Sequence, residues 1–208
     1  MTSRYIHGTD PVEQARLSLL NDLLNAACLG AVAPRPGEAL LDVGAGLGQL
    51  TRALARATGG RAVGVERSEA QRERALALAA AAGEQDLLDL RAGDALALPL
   101  ADDEWGTFDL VHARFLLEHV PAPAQVVAQM VRAARPGGRI VLMDDDHSLM
   151  RLAPAPARFE AVWAAFCRSY DRNGNDPYVG RRLVQLLAQW TPAPTPTLTP
   201  GPTPTPPR

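Results

Sequence analysis

Short apolar runs alternate along this chain with longer stretches in which apolar residues recur every three or four positions. Apolar runs bounded by glycine, proline or charged residues are typical of buried strands, whereas the three-to-four spacing is typical of helices. The pattern predicts strands at residues 39–43, 61–66, 87–92, 108–112 and 139–143. Helices are predicted at 10–30, 47–57, 69–82, 123–134, 154–170 and 179–190, with one further helical turn at 116–120.

The order of these elements predicts the class of fold. Strands separated by helical segments imply an α/β protein with a doubly wound, Rossmann-like and mostly parallel sheet, here of five strands. A ligand of such a sheet binds at the carboxyl ends of its strands, where the strand order reverses. We predict four segments: an N-terminal helical lid (1–36), a ligand-binding core (37–147), C-terminal helices (148–190) and a tail (191–208). The tail is rich in proline and threonine and is predicted to be disordered.

The glycine loop, residues 42–48, joins the first predicted strand to the next helix and has the sequence Asp-Val-Gly-Ala-Gly-Leu-Gly. Glycines at such a turn permit positive φ and let a ligand approach the bare backbone. A phosphate-binding P-loop is excluded because the chain contains no lysine. The dinucleotide pattern G-x-G-x-x-G fits poorly, because Gly48 follows Gly46 after two residues and Asp42 stands where an apolar residue is usual. A carboxylate there repels a pyrophosphate and suits a ligand that carries an ammonium group.

Composition narrows the function classes further. A length of 208 residues and 47% hydrophobic content are ordinary for one globular domain. The net charge of −2 gives no general attraction to nucleic acid or to an anionic membrane, so neither is an expected partner. Cys28 and Cys167 lie far apart, which suggests neither a zinc site nor a disulfide framework. We expect a cytoplasmic protein, since no leader or membrane-spanning stretch is evident.

An acidic residue, Glu66, ends the second predicted strand, 22 residues after Gly44. That spacing is typical of the acid that accepts hydrogen bonds from the ribose hydroxyls of a bound nucleotide. A solvated glutamate at a strand end is the alternative interpretation. Glu66 is therefore a candidate ligand-binding residue.

The pattern D-x-G-x-G-x-G resembles motif I of the class I S-adenosylmethionine-dependent methyltransferases. Further segments resemble this family in the same order: Gly93-Asp94-Ala95, Phe108-Asp109-Leu110-Val111, Leu117-Glu118-His119-Val120 and Arg135-Pro136-Gly137-Gly138. Together they cover residues 37–146 and are most similar to the small-molecule branch active in ubiquinone and menaquinone biosynthesis. The lead-in with Tyr5 and Arg16 resembles a segment that covers the donor in such enzymes.

The resemblance implies that S-adenosylmethionine is the methyl donor and that a small molecule is the acceptor. It places Asp42 near the amino acid end of the donor, Asp94 beside the adenine amine and His112 near the methionine portion. The full set of implied donor contacts is Asp42, Gly44, Ala45, Gly46, Gly48, Glu66, Arg67, Gly93, Asp94, Ala95 and His112.

The donor carries its own reactive methyl group, so the protein mainly has to orient the reactants. A general base is needed only if the acceptor is a weakly acidic hydroxyl or carbon acid, and His119 and His147 are the candidates. His119 could equally be a packing residue on a helix face. Residues Asp144 to His147 could form a magnesium site, but consecutive side chains at a strand end diverge, and we expect no metal.

Two other functions remain open from the sequence: a non-catalytic protein that retains a donor pocket, and a nicotinamide-dependent oxidoreductase. The family's sheet normally continues into an antiparallel hairpin, where this chain has its proline-rich tail. We therefore expect a C-terminally truncated sheet in which the fifth strand is an exposed edge.

Overall fold

The computed structural model describes residues 11–171 and 173–190; within the first helix, the side chains of residues 11–15, 17–18 and 20–23 are not described. Five parallel strands form one sheet with the order β3-β2-β1-β4-β5. The strands are β1 (Leu40–Val43), β2 (Ala62–Glu66), β3 (Asp89–Ala92), β4 (Phe108–Arg114) and β5 (Ala134–Met143). The predicted Rossmann-like α/β class is confirmed. Within the described residues, β5 pairs only with β4 and is an edge strand.

In the described part of the chain, six α-helices accompany the sheet: α1 (Pro11–Val32), α2 (Gln49–Thr58), α3 (Glu69–Ala81), α4 (Pro123–Ala133), α5 (Phe159–Asp171) and α6 (Leu183–Ala188). Their starts follow the sequence signals. Ser68 caps α3 by accepting a hydrogen bond from the backbone N–H of Gln71, and Pro123 occupies the first turn of α4. The predicted turn at 116–120 is a 3-10 helix, Leu117–His119. None of the described helices is long and apolar enough to cross a membrane.

Two strands, β3 and β5, begin more than one residue away from their predicted starts. β3 begins at Asp89, because the residues before it, Gln85–Leu87, form a 3-10 turn. β5 begins at Ala134 and includes the segment that was predicted as a turn. Ala134 pairs with Phe108 and Arg139 with Leu110, so the extra residues bulge out of the ladder. Gly137 lies in this bulge and has a φ of 74°, in the left-handed region that favours glycine.

The core consists of two apolar clusters, one on each face of the sheet. On one face, Leu41 and Val43 pack with Val63 and with Met130 of α4. On the other face, Leu40 and Leu110 pack with Leu54 of α2 and with the end of α1; side-chain alternation along β1 sends its residues to both clusters. All four side chains of β1 are buried, including the charged Asp42.

The topology brings the predicted site residues to one edge. The chain runs outward from β1 through β2 to β3 and then crosses to β4 on the other side of β1. At the carboxyl ends of β1, β2, β3 and β4 lie, in that order, the glycine loop, Glu66, Gly93 and Arg114. The site therefore lies at the switch point of the sheet. Tyr5 and the tail 191–208 lie outside the described residues, as does the side chain at position 172.

Candidate functional site

One cavity opens at the carboxyl ends of β1, β2, β3 and β4, and we call it the donor cavity. Its walls come from the glycine loop, the ends of these strands and the segment 114–120. All but two of the predicted donor contacts line it: Asp42, Gly44, Ala45, Gly46, Glu66, Arg67, Gly93, Asp94 and Ala95. Residues that are more than 50 positions apart in the sequence are thus brought to one surface.

The glycine loop presents bare backbone to the donor cavity. Gly44 and Gly46 have φ values of 77° and 55°, which favour glycine. A Cβ atom on Gly46 would meet only the Gln71 side chain, with its Oε1 at 3.3 Å, so the absent side chain leaves room on the cavity side. A Cβ on Gly44 would come within 2.9 Å of Leu116 Cδ1. Glycine at both positions keeps the cavity open, and the loop fits a ligand that approaches the main chain closely.

Gly48 does not line the donor cavity. It is buried, has a φ of 66° and caps the start of α2. A Cβ there would lie 3.0 Å from Leu88 Cδ2, on the segment that leads into β3. The third glycine of the motif therefore allows the loop to pack against the core. The position of Gly48 does not support the predicted contact with the donor.

Asp42 is the buried charge of the site. Its carboxylate lies 2.9 Å from His112 Nδ1 and accepts a hydrogen bond of 2.5 Å from Thr51 Oγ1. Burial raises the pKa of Asp42, but the hydrogen bonds from His112 and Thr51 and the charge of His112 outweigh it, so the net pKa lies below the ordinary value. Asp42 therefore remains an anion on the floor of the cavity.

His112 is fully buried and does not line the cavity. Its position does not support the predicted donor contact, because β4 pairs with β1 so that His112 lies opposite Asp42 in the sheet. Its ring holds the carboxylate in place instead. Within the part of the chain that the structure describes, His112 Nε2 has no hydrogen-bond partner.

Glu66 connects the glycine loop to α3. Its Oε2 accepts a hydrogen bond of 3.0 Å from the Gly46 N–H, and its Oε1 accepts one of 2.7 Å from the Ser68 N–H. A carboxylate has about four acceptor positions, so two remain for hydroxyl groups in the cavity. The position and the remaining capacity of Glu66 fit the role that its spacing predicts.

The end of β3 supplies the far wall. Asp94 Oδ1 accepts a hydrogen bond of 2.9 Å from the Leu96 N–H, and its Oδ2 lies 3.9 Å from the Arg67 guanidinium. Both side chains are about half exposed at the rim. A Cβ on Gly93 would come within 2.5 Å of Pro99 Cγ, so glycine there permits the following turn to fold over the cavity.

The structure adds residues that sequence reasoning missed. Thr51 and Gln71 are buried polar residues on helices α2 and α3. Phe115 and Leu116 line the cavity from the loop after β4, next to Arg114, which ends that strand and was expected near the donor; Phe115 has a φ of 52°, a strained conformation for a bulky residue. The position of Arg114, Phe115 and Leu116 between two segments that resemble the family could have indicated that they lie at the site. No sequence signal marks Thr51 as a site residue, since a threonine on an apolar helix face is common.

The two histidine candidates occupy different positions. His119 lines the donor cavity, and His147 does not. Between them lies Glu118, which is 3% exposed; its Oε2 is 2.8 Å from His147 Nε2 and accepts a hydrogen bond of 2.9 Å from the Tyr170 hydroxyl. We call this group the Glu118 cluster. Its members are Glu118, His119, Asp144, Asp145, His147 and Tyr170.

His147 borders a second cavity, between the segment after β5 and helix α5. Phe159 and Trp163 line it as stacked rings 6.1 Å apart, and the Trp163 indole donates a 2.7 Å hydrogen bond to the His147 carbonyl. The Glu118 cluster thus separates two cavities.

The acidic run at 144–147 does not converge as a unit, as expected for consecutive side chains. Asp144 accepts hydrogen bonds from the Leu116 and Leu117 N–H groups, whereas Asp146 pairs with Arg181 at 2.8 Å. Of these residues, Asp145 and His147 offer potential ligand atoms that lie, with one of Glu118, within 4.8 Å of one another. The Oε2 atom of Glu118 is already engaged by His147 and Tyr170. The absence of a metal remains a prediction.

Asp144 makes the stability of the protein sensitive to pH. Burial, together with the nearby Glu118 charge, raises the pKa of Asp144 to about 7. Between about pH 4 and pH 7, the carboxyl is protonated in the folded state and ionised in the unfolded state, so stability falls as pH rises through this window. Asp144→Asn should remove this loss and stabilise the protein at pH 8, relative to pH 5, by roughly 1–3 kcal/mol. Urea unfolding at both pH values measures the difference.

Asp103→Asn is the matched control, because it removes an exposed carboxylate. The asparagine oxygen at position 144 can still accept the 2.7 Å hydrogen bond from Leu117. Burial lowers the pKa of His147, but the hydrogen bond to Glu118 and the charge of Glu118 raise it above the ordinary value. His147 therefore also makes the stability fall as pH rises, and it does so in both proteins. Parallel stability curves for the wild type and Asp144→Asn would contradict the assignment.

Comparisons with known proteins agree with this geometry. A family model described as "Methyltransferase domain" matches residues 41–142. A 27-O-demethylrifamycin SV methyltransferase of Amycolatopsis mediterranei is 36% identical over 155 residues, which are 74% of this chain and 54% of that protein. The ubiquinone/menaquinone biosynthesis C-methyltransferase UbiE of Roseobacter denitrificans is 33% identical over 139 residues, 62% of this chain and 54% of that protein. The chain spans about half the length of these relatives.

One solved structure that is similar to this chain was determined with bound ligands. It is phosphoethanolamine N-methyltransferase 2 of Haemonchus contortus, in complex with phosphomonomethylethanolamine and S-adenosylhomocysteine. It superimposes with a TM-score of 0.52 and 25% identity, over 58% of this chain and 27% of that one. The family model covers the glycine loop and the sheet from β1 into β5, and the chain belongs to the class I S-adenosylmethionine-dependent methyltransferases.

Proposed function

We propose that this chain binds S-adenosylmethionine in the donor cavity and transfers its methyl group to a small-molecule acceptor. The observation that carries the proposal is the bare backbone of Gly44 and Gly46 beside two carboxylates, Asp42 and Glu66, in one cavity. This combination suits a nucleoside that carries an ammonium group and disfavours a pyrophosphate, which two anions would repel. The donor-binding unit comprises residues 37–147.

Each part of the donor has a proposed partner at the cavity wall. The Glu66 carboxylate lines the cavity beside the Gly46 N–H and has acceptor positions left over. These positions accept hydrogen bonds from the ribose hydroxyls. The half-exposed Asp94 is for the adenine amine. The anionic Asp42 is for the amino acid end, where its charge attracts an ammonium group. Arg67, Ala45 and Ala95 complete the wall, and Gly93 gives the chain room to turn.

The donor supplies an electrophilic methyl group on a sulfonium, and the protein supplies geometry. The glycine loop and the loop 114–116 shape the cavity so that donor and acceptor can be held in line. His119 lines this cavity and is the proposed general base if the acceptor is a hydroxyl or a carbon acid. His147 does not line the donor cavity, which leaves His119 as the candidate for direct proton transfer.

A small-molecule acceptor is supported by the relatives, which are named for a rifamycin and for quinone biosynthesis. The formal net charge of −2 gives no general attraction to a nucleic acid. The acceptor is therefore proposed to be an organic molecule that enters beside His119.

Donor binding is tested by isothermal calorimetry and thermal melting with S-adenosylmethionine, S-adenosylhomocysteine and NAD⁺. We expect heat and a rise in melting temperature with the first two ligands and neither with NAD⁺. A ligand at 100 times its Kd should stabilise the fold by about 2.7 kcal/mol. Absence of heat and of any melting shift at about 1 mM donor, well above typical enzyme affinities, would refute the binding proposal.

Methyl transfer is tested separately with methyl-labelled donor and a panel of phenols, hydroquinones and amines. The expected result is label in an organic extract and formation of S-adenosylhomocysteine that depends on the acceptor. Donor binding without transfer to any member of a broad panel would favour a protein that binds the donor without catalysis.

A further inference from the structure

Glu118 is a buried acid that faces two histidines on different elements. It lies in the 3-10 turn after β4 and is 3% exposed. Its Oε1 is 3.4 Å from His119 Nε2, and its Oε2 is 2.8 Å from His147 Nε2. His119 lines the donor cavity, whereas His147 lines the second cavity. One carboxylate thus contacts a ring in each cavity.

The surroundings of Glu118 keep it charged and in place. Burial raises the pKa of Glu118, but the hydrogen bond from His147, the charges of both histidines and the Tyr170 hydroxyl lower it to below the ordinary value. Tyr170 from α5 donates a 2.9 Å hydrogen bond to Glu118 and stacks on His119 with ring centres 5.8 Å apart. Asp144 and Asp145, at the end of β5, are the like charges that face it.

We infer that Glu118 is a positioning residue that orients His119 in the donor cavity and couples it to His147 and helix α5. The inference deepens the proposed function and rests on it where it assigns His119 to proton transfer. Because both histidines share one carboxylate, the charge on either ring changes how strongly Glu118 interacts with the other.

This arrangement suits His119 as a general base. With its ring proton on Nε2, towards Glu118, the His119 ring has Nδ1 as its basic nitrogen, a buried atom that the ring must expose to the acceptor. When the acceptor X–H bond breaks, its electron pair forms the new X–CH₃ bond and its proton passes to His119. The C–S bond of the donor breaks with its electrons remaining on sulfur. The Glu118 carboxylate then stabilises the imidazolium, as an acid paired with a histidine does in other active sites.

A rival explanation is that Glu118 only anchors α5 to the sheet through Tyr170 and His147. The two explanations differ in what a neutral residue of the same shape does. Glu118→Gln retains an oxygen that can accept the Tyr170 hydrogen bond and removes the charge. An anchor would survive this change with little effect on the histidines, whereas a coupling carboxylate would alter the titration of both rings.

The test is a pH titration of the histidine ring resonances by NMR, without ligand, on the full chain. The chain contains four histidines, so single His→Gln substitutions assign the resonances. In Glu118→Gln we expect the titration midpoints of both His119 and His147 to fall by about one pH unit, because the charge that favours the imidazolium is gone. Glu73→Gln, which removes an exposed carboxylate from α3, should leave both midpoints unchanged.

A second variant should shift the His119 titration midpoint in the opposite direction, and it keeps the test decisive if the first variant does not fold. His147→Gln removes a positive charge that shares Glu118, so the His119 midpoint should rise. If Glu118→Gln leaves either histidine midpoint unchanged, or His147→Gln leaves the His119 midpoint unchanged, the coupling is refuted.

A third measurement separates this inference from the proposed function. S-adenosylhomocysteine should perturb His119 directly and His147 through Glu118, and in Glu118→Gln only the His119 perturbation should remain. Absence of ligand heat in calorimetry would refute donor binding, and the ligand-free titrations would still decide whether Glu118 couples the two histidines. Perturbation of His147 that is equal in the wild type and in Glu118→Gln would refute the coupling while donor binding stands.

Discussion

Gly46→Val should weaken donor binding by on the order of 100-fold or more, about 2.7 kcal/mol. Gly46 faces the donor cavity with a φ of 55°, and its missing side chain leaves the main chain accessible. Valine would place a Cβ 3.3 Å from Gln71 Oε1, with two methyl groups in the remaining space. It would also disturb the 3.0 Å hydrogen bond from the Gly46 N–H to Glu66. Calorimetry with S-adenosylhomocysteine measures the loss.

Strain alone could weaken binding, because a β-branched residue is unfavourable at positive φ. Gly83→Val is the matched control: Gly83 has a φ of 67° at the end of α3, and a Cβ there meets nothing within 4 Å. This variant should lose a similar amount of stability, about 1–2 kcal/mol, and bind the donor normally. Donor binding by Gly46→Val at the wild-type level would show that the glycine loop is only structural.

Asp42→Ala should destabilise the fold by roughly 3–5 kcal/mol, the range measured when one partner of a buried charged pair is removed. Asp42 is 4% exposed and its carboxylate lies 2.9 Å from His112, which is fully buried. Without the carboxylate, the His112 ring would lose the partner of Nδ1, and the Thr51 hydroxyl would lose its acceptor. Urea unfolding gives the free energy of unfolding, and calorimetry should show weaker donor binding.

Asp89→Ala is the control for a surface pair. Asp89 pairs with Arg91 at 2.6 Å at the exposed start of β3, and its side chain is 49% exposed. Its removal should cost less than about 1 kcal/mol, because water screens an exposed pair. Comparable losses for the two variants would contradict the buried role of Asp42. A fully stable Asp42→Ala that no longer binds the donor would assign Asp42 to the ligand alone.

The apolar pattern predicted the secondary structure of the central strands because β1, β2 and β4 are largely buried on both faces. β1, β2 and β4 read as continuous apolar runs since helices cover the sheet on either side. The prediction was wrong at the start of β5, where Pro136 and Gly137 are typical of a turn. There the register of β4 decides the structure: the neighbouring strand pairs on both sides of the bulge, which local propensity cannot reveal.

The site shows the same division between short-range and long-range information. Gly44 and Gly46 were predictable, because only glycine adopts their backbone angles freely. Glu66 was predictable from its spacing after the glycine loop. His112 was misplaced, because its position at the end of β4 suggested the cavity, whereas the pairing with β1 turns it towards Asp42. Sequence adjacency also hid the fact that His119 lines the donor cavity, whereas Glu118 is buried against His147 and Tyr170.

By itself, the sequence determined the class of fold, the glycine loop and the chemical kind of ligand, because these depend on local backbone preference, burial and charge. The tertiary structure alone decided which side chains share a surface. It separated His119, in the donor cavity, from His147, beside α5, and placed Glu118 between them. The physical reason is that parallel strands bring distant carboxyl ends together, so contacts form across gaps in sequence that no local pattern records.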